Sequence, residues 1–300
     1  MNPARLTPVD KSTLIYNGIV VLLLLSFSSR VLHWHWLILI NLGIVASIWF
    51  FFSRITPQSH SALRFLRCFY PMIFISFVYM QTERMNRIFF KDFLDPYFQR
   101  VEYGLFGMKP AIVFAERFPQ WWVNEYMHMT YFSYYLMFPI LGLVLYFRRD
   151  RESCDEFVFT LCSTFYVFYL IFISFPVLGA ETIGLPPSVL DGPFTRLMKV
   201  IFDHFEKGGA AFPSSHVGIS VLVLIFAFRH LSRKIAWIYA VFCISLSFAT
   251  VYCRYHYAID AITGIITGVI FTYFFSAIAV RARADAANNR QHTIAAARGL

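Results

Sequence analysis

Apolar residues along this chain gather into eight long runs divided by polar or mixed segments, a pattern that predicts helices. The runs are approximately Thr13 to Ser29, Trp34 to Phe52, Ala62 to Gln81, Val123 to Phe147, Phe157 to Val177, Ser214 to Phe228, Ile235 to Tyr252 and Tyr257 to Val280. A helix needs about 20 residues to cross about 30 Å of hydrocarbon, and most of these runs approach that length, the sixth being the shortest. The expected fold class is therefore all-α, a polytopic membrane helical bundle of about eight transmembrane helices with a six-helix core at its C-terminal end. Residues 1–60 are read as an N-terminal helix pair, 61–280 as the functional membrane domain and 281–300, rich in Ala, Asn and Arg, as a disordered cytoplasmic tail. Two connections, 82–122 and 178–213, are long and mixed in composition.

Composition agrees with a membrane protein. Hydrophobic residues make up 58% and charged residues 14% of the chain, outside the range of soluble domains. The load of 35 Phe, 17 Tyr and 6 Trp fits lipid-facing helices with interfacial belts, Trp121-Trp122 reading as one such anchor. The net charge of +9 does not require nucleic acid as a partner. With the N-terminus placed in the cytoplasm, 15 of the 26 Lys and Arg and 6 of the 17 acidic residues fall on that side, so the whole excess lies on one face, as short cytoplasmic loops demand. Both termini are then cytoplasmic, and the two long connections and the Cys253-Arg254-Tyr255-His256 turn share the opposite face. The polar start, Met1 to Lys11, reads as leading into a retained first helix rather than a cleaved signal. The five cysteines have no Cys-x-x-Cys spacing and suggest neither a metal site nor a disulfide framework.

Two segments carry candidate chemistry. In Gly208-Gly-Ala-Ala-Phe-Pro-Ser-Ser-His216, small residues run into Pro213 and two serines that open an apolar helix. A helix N-terminus offers free N–H groups and partial positive charge to an anion, with His216 in its first turn. In Arg254-Tyr-His256-Tyr-Ala-Ile-Asp260, the imidazole and carboxylate are four residues apart and share a helical face, so Asp260 can orient His256 and stabilise its cation. Each segment alone has a plainer reading: a punctuated loop with an interfacial histidine, or a satisfied polar pair. The 40-residue separation of His216 and His256 joins them, because about 60 Å of helix crosses the membrane twice and returns both rings to one face. Two imidazoles and a carboxylate divide phosphoryl-transfer labour naturally: His256 as nucleophile, His216 as general acid. Arg254 is the candidate clamp for phosphoryl oxygens, with Ser214, Ser215 and Lys207 as further phosphate-binding candidates. Zinc ligation by two His and one Asp leaves Arg254 and the helix terminus unexplained, and neither a metal nor a cofactor is called for.

These residues resemble the type 2 phosphatidic acid phosphatase superfamily. Pro213-Ser214-Ser215-His216 is similar to its second signature, Pro-Ser-Gly-His, with serine in place of glycine, and His256 and Asp260 match the His and Asp of the third. The arginine usual six residues before that histidine would fall at Thr250, whereas Arg254 lies two before it. Arg254-Tyr255-His256-Tyr257 followed by Asp260 is closer to the inositol phosphorylceramide synthase branch. The first signature, Lys-x6-Arg-Pro, has no counterpart after Phe175-Pro176, so phosphate-binding charge must come from Arg254 and residues such as Lys207, Lys199, Arg196, Lys91, Arg100 or Lys109. His128 with Asn124 and Glu125, and Asp95-Pro96-Tyr97 with Glu102, are read as local polar order. The resemblance covers roughly the last 100 residues and implies a membrane enzyme acting on a lipid phosphate or phospholipid through a phosphohistidine. The reading favoured is a phosphohydrolase; the alternatives are a head-group phosphotransferase and, in another class, a transporter with a His/Asp proton relay.

Overall fold

A computed structural model describes residues 6–148, 150–183, 192–205 and 208–297. Among them, eleven α-helices follow in order: α1 Pro8–Ser26, α2 Trp34–Phe50, α3 Ser61–Met85, α4 Asp95–Phe106, α5 Pro110–Arg117, α6 Trp121–Phe147, α7 Arg151–Ser174, α8 Pro193–Phe205, α9 Ser215–His230, α10 Arg233–Tyr252 and α11 Ala258–Ala297. The described residues contain no strand beyond an isolated parallel bridge between Val177 and Ala210. The chain is thus the all-α helical bundle that its periodicity predicts.

Each predicted run coincides with a helix, and seven of the eight are long and apolar enough to cross a membrane. The exception is α9, at 16 residues about 24 Å long, short of the hydrocarbon thickness. It packs among α6, α7, α10 and α11, and Ser214, Ser215 and His216 at its start are buried. α7 is the bundle's centre, with 78% of its apolar stretch buried inside the protein, as expected of a helix hydrophobic on every side. At the far end α11 runs on to Ala297.

The turns sort to two ends of the bundle. At one, Arg148 Nη1 donates to the His230 carbonyl at 3.0 Å, Glu156 pairs with Arg229 at 3.8 Å and with Arg283, and Asp10 of α1 pairs with Arg67 of α3. At the other, the Leu94 N–H donates to the Pro176 carbonyl at 2.8 Å and Glu102 accepts from the Ala258 N–H at 2.6 Å. The described parts of connections 86–120 and 175–214 and the turn before α11 therefore gather at one end.

Small residues bring α9 and α11 together. A Cβ on Gly264 would lie 2.6 Å from the Ser214 carbonyl oxygen, one on Gly268 would lie 2.5 Å from the Gly218 oxygen, and one on Gly218 would meet the Phe168 ring at 2.6 Å. Such small-residue crossings let helix backbones touch, and this one places the start of α9 beside the start of α11. Gly268→Leu is expected to destabilise the protein by at least about 1–3 kcal/mol through overpacking, read as a lower unfolding temperature in detergent. Gly18→Leu, where a Cβ meets nothing within 4 Å, should leave that temperature unchanged or raise it.

Candidate active site

His216 sits in the first turn of α9 because Ser214 caps that helix, its hydroxyl accepting from the Val217 N–H at 3.4 Å. The Ser214 N–H in turn donates to the Asp260 carbonyl at 3.0 Å, tying the start of α9 to α11. His256 lies in the turn between α10 and α11. Arg254 takes the left-handed conformation there, φ 62°, and the His256 N–H donates to the Thr250 carbonyl at 3.0 Å. Reversing the chain over so few residues sets His256 beside His216, with Nε2 of the first 3.5 Å from Nδ1 of the second.

Partners fix the proton on His256. Its Nδ1 lies 2.9 Å from the Ala211 carbonyl oxygen, which can only accept, so in the neutral ring Nδ1 carries the hydrogen and Nε2 keeps its lone pair. Asp260 Oδ2 is 3.6 Å from the same Nδ1, too far for a hydrogen bond, and accepts the Tyr257 N–H at 2.8 Å. The carboxylate expected to orient the ring is therefore an electrostatic neighbour, and a backbone carbonyl does the orienting. His216 Nε2 meets the Tyr131 hydroxyl at 3.2 Å, and its ring packs against Tyr134 at 4.3 Å between centroids.

Both histidines line a small cleft of about 50 Å³, bordered also by Tyr131, Tyr255, Phe202 and Glu181. Tyr255 stacks on Phe202 of α8 at 4.4 Å and packs on Tyr131 at 4.6 Å, forming an aromatic wall. The N-terminus of α8 is held by Glu125 of α6, which accepts from the Phe194 N–H at 2.8 Å and the Thr195 N–H at 3.1 Å. His128 Nδ1 bonds the Asn124 carbonyl at 2.8 Å; neither it nor Glu125 lines the cleft.

Of the residues singled out in the sequence, the structure brings His216, His256 and Asp260 together. Arg254, Ser214 and Ser215 are buried close by but do not border the cleft; burial presses against the Arg254 charge and Glu116 supports it. Lys207 lies outside the described residues, next to the cleft-lining Gly208. Lys199, Arg196, Lys91 and Arg100 are exposed on α8 and the first long connection. No Lys or Arg borders the cleft among the described residues. Sequence reasoning missed Tyr131, Phe202 and the Ala211 carbonyl. A tyrosine in an apolar helix reads as an interfacial anchor, and a backbone oxygen leaves no signal at all.

Beneath the turn, Glu102 accepts from the Ala258 N–H, and burial pushes its carboxyl up from the ordinary value against the pull of the Ala258 and Ile259 N–H groups and of Lys109.

A family model described as the PAP2 superfamily matches residues 102–274, from the last turns of α4 into α11. A PA-phosphatase related-family protein of Dictyostelium discoideum is 22% identical over 161 residues, covering 46% of this chain and 29% of that protein. The chain thus corresponds to less than a third of that relative's length. No solved structure matches.

Proposed function

The chain belongs to the PAP2 superfamily, and from that premise we propose that it is a membrane-embedded lipid phosphate phosphohydrolase working through a phosphohistidine on His256. The observation that carries the reading is the Ala211 carbonyl on His256 Nδ1, which leaves Nε2 unprotonated beside His216.

In the first step, the Nε2 lone pair forms a bond to phosphorus as the bond from phosphorus to the lipid alcohol oxygen breaks. Protonated His216 delivers the Nδ1 proton to that oxygen, so the alcohol leaves neutral. Asp260, 3.6 Å from Nδ1 of His256, offsets the positive charge that the phosphorylated imidazole acquires. In the second step, neutral His216 takes a proton from water, the water oxygen attacks phosphorus, and the nitrogen–phosphorus electron pair returns to Nε2. One lipid phosphate and one water thus give one alcohol and one inorganic phosphate. The proposal assigns the phosphoryl oxygens to Lys207 and the N-terminus of α9, where Ser214 and Ser215 begin the helix, with Arg254 adding positive charge from behind the turn.

A head-group phosphotransferase is favoured by one feature, the Arg254-Tyr255-His256-Tyr257 sequence, which resembles the inositol phosphorylceramide synthase branch. There an alcohol replaces water in the second step. The charge distribution supports a topology with cytoplasmic termini and the site on the non-cytoplasmic face. The test offers the purified protein in liposomes phosphatidic acid, a polyprenyl diphosphate and a phosphoinositol lipid with an alcohol acceptor. Free phosphate is the expected product. Transfer without free phosphate would move the assignment to phosphotransferase, and inertness on every lipid would overturn both.

A further inference from the structure

One face of α4 carries Asp95, Phe98, Gln99 and Glu102, at spacings of three, four and seven residues that align on a helix, and all four grip the catalytic turn or its supports. Asp95, only 4% exposed, accepts three hydrogen bonds: Oδ2 from the Leu178 N–H at 2.9 Å, and Oδ1 from the Gly179 N–H and the Tyr257 hydroxyl, each at 3.0 Å. Phe98 packs on Phe212 at 4.7 Å. Gln99 Nε2 donates to the Tyr257 hydroxyl at 3.2 Å, and Glu102 holds the Ala258 N–H.

The segment that Asp95 holds is the one that sets the ring of His256. Val177 accepts the Ala211 N–H at 2.9 Å, and Ala211 then offers its own carbonyl to His256 Nδ1. Gly179, at φ +107°, lies so close to the same turn that a Cβ would be 2.3 Å from the Tyr255 oxygen. A displacement of segment 177–179 thus reaches His256 by two backbone routes, one through Ala211 and one through Tyr255.

We infer that Asp95 is a positioning residue that, through Leu178, Gly179 and Tyr257, holds the Ala211 carbonyl against His256 Nδ1 and so fixes the tautomer that leaves Nε2 nucleophilic. The inference rests on the proposed role of His256. Asp95 does not border the cleft and acts on the reaction through the ring it steadies. A carboxylate suits the task because it accepts at both oxygens. In Asp95→Asn the amide nitrogen can no longer accept, so at least one of the three donors loses its partner.

The test compares native full-length protein with Asp95→Asn, Tyr257→Phe and, as a control, Asp92→Asn, an exposed residue of the same connection. Histidine-labelled protein in detergent is followed by nitrogen NMR, and kcat and KM are measured on a lipid phosphate. The expectation for Asp95→Asn is a His256 signal that changes from Nδ1-protonated to a mixture of tautomers. Its kcat should fall about 10- to 100-fold, the scale of a slightly misplaced catalytic group, with KM changed less than about threefold. Tyr257→Phe, which removes one donor, should give a smaller fall in the same direction, and Asp92→Asn none. An Asp95→Asn protein with native unfolding temperature, an unchanged His256 signal and unchanged kcat would overturn the inference. So would losses in kcat that merely track a lowered unfolding temperature while the tautomer stays fixed. The NMR reading needs no substrate, so a native protein inert on all lipids would defeat the phosphohydrolase reading while leaving the Asp95 contact judged on its own signal.

Discussion

His256→Ala is expected to release no phosphate above the uncatalysed background from any lipid that the native protein hydrolyses. Among the described residues, nothing else bordering the cleft can take over its part. The neighbouring imidazole, His216, has Nε2 on the Tyr131 hydroxyl and its ring between tyrosines, whereas His256 has its proton fixed by the Ala211 carbonyl. In the proposed mechanism, loss of His256 removes the covalent route rather than slowing one step of it. The decisive measurement pairs phosphate release with rapid-quench trapping of labelled phosphate on the protein. Native protein should carry a label that is stable in base and labile in acid, as a nitrogen–phosphorus bond is, and His256→Ala should carry none. The variant leaves the buried Ala211 carbonyl and Asp260 without the imidazole they face, so its unfolding temperature should fall, and the protein is confirmed folded before the label is scored. A His256→Ala protein that still turns over, or a label that survives the substitution, would assign the nucleophile elsewhere.

His216→Ala should lose about 10²- to 10⁴-fold in kcat on natural lipid phosphates, the usual contribution of a positioned acid or base. The loss should depend on the leaving group, because the assigned task is protonating an alkoxide. With a nitrophenyl phosphate, whose leaving oxygen needs no proton, the phosphorylation step should recover most of its rate. Hydrolysis of the phosphohistidine still needs His216 as base, so His216→Ala should then accumulate labelled protein where native protein turns it over. An equal loss with both substrates and no accumulation would mean that His216 supports the site without transferring protons. The two variants therefore separate attack from proton transfer.

The positions of the helices were legible in the sequence because burying backbone in hydrocarbon admits few solutions, and a run of about 20 apolar residues is one of them. Even α9, the shortest run, is a helix. The histidine pair was legible for a related reason: the 40 residues between the rings run out along α9 and back along α10, and helical rise turns sequence distance into position. Less legible was the detail that depends on side-chain direction and on loops. Asp260 was expected to orient His256, since four residues on a helix share a face. The chain enters α11 only at Ala258, however, so His256 sits in the turn before it, and its ring reaches the Ala211 carbonyl first. Arg254 was expected to clamp phosphate because of its place beside His256. In the structure Arg254 is buried at a left-handed position of the turn and does not border the cleft.

By itself, then, the sequence determined that this chain is an all-α bundle and which two histidines return to one end of it, because hydrophobic periodicity and helical rise are local properties that neighbouring residues enforce. Tertiary structure alone decided which atom of the His256 ring faces the Ala211 carbonyl, that glycines press α9 onto α11, and that α4 reaches under the turn that carries His256. Those outcomes rest on contacts between segments as much as 162 residues apart, such as Asp95 with Tyr257, and on backbone oxygens and absent Cβ atoms whose partners no local pattern specifies.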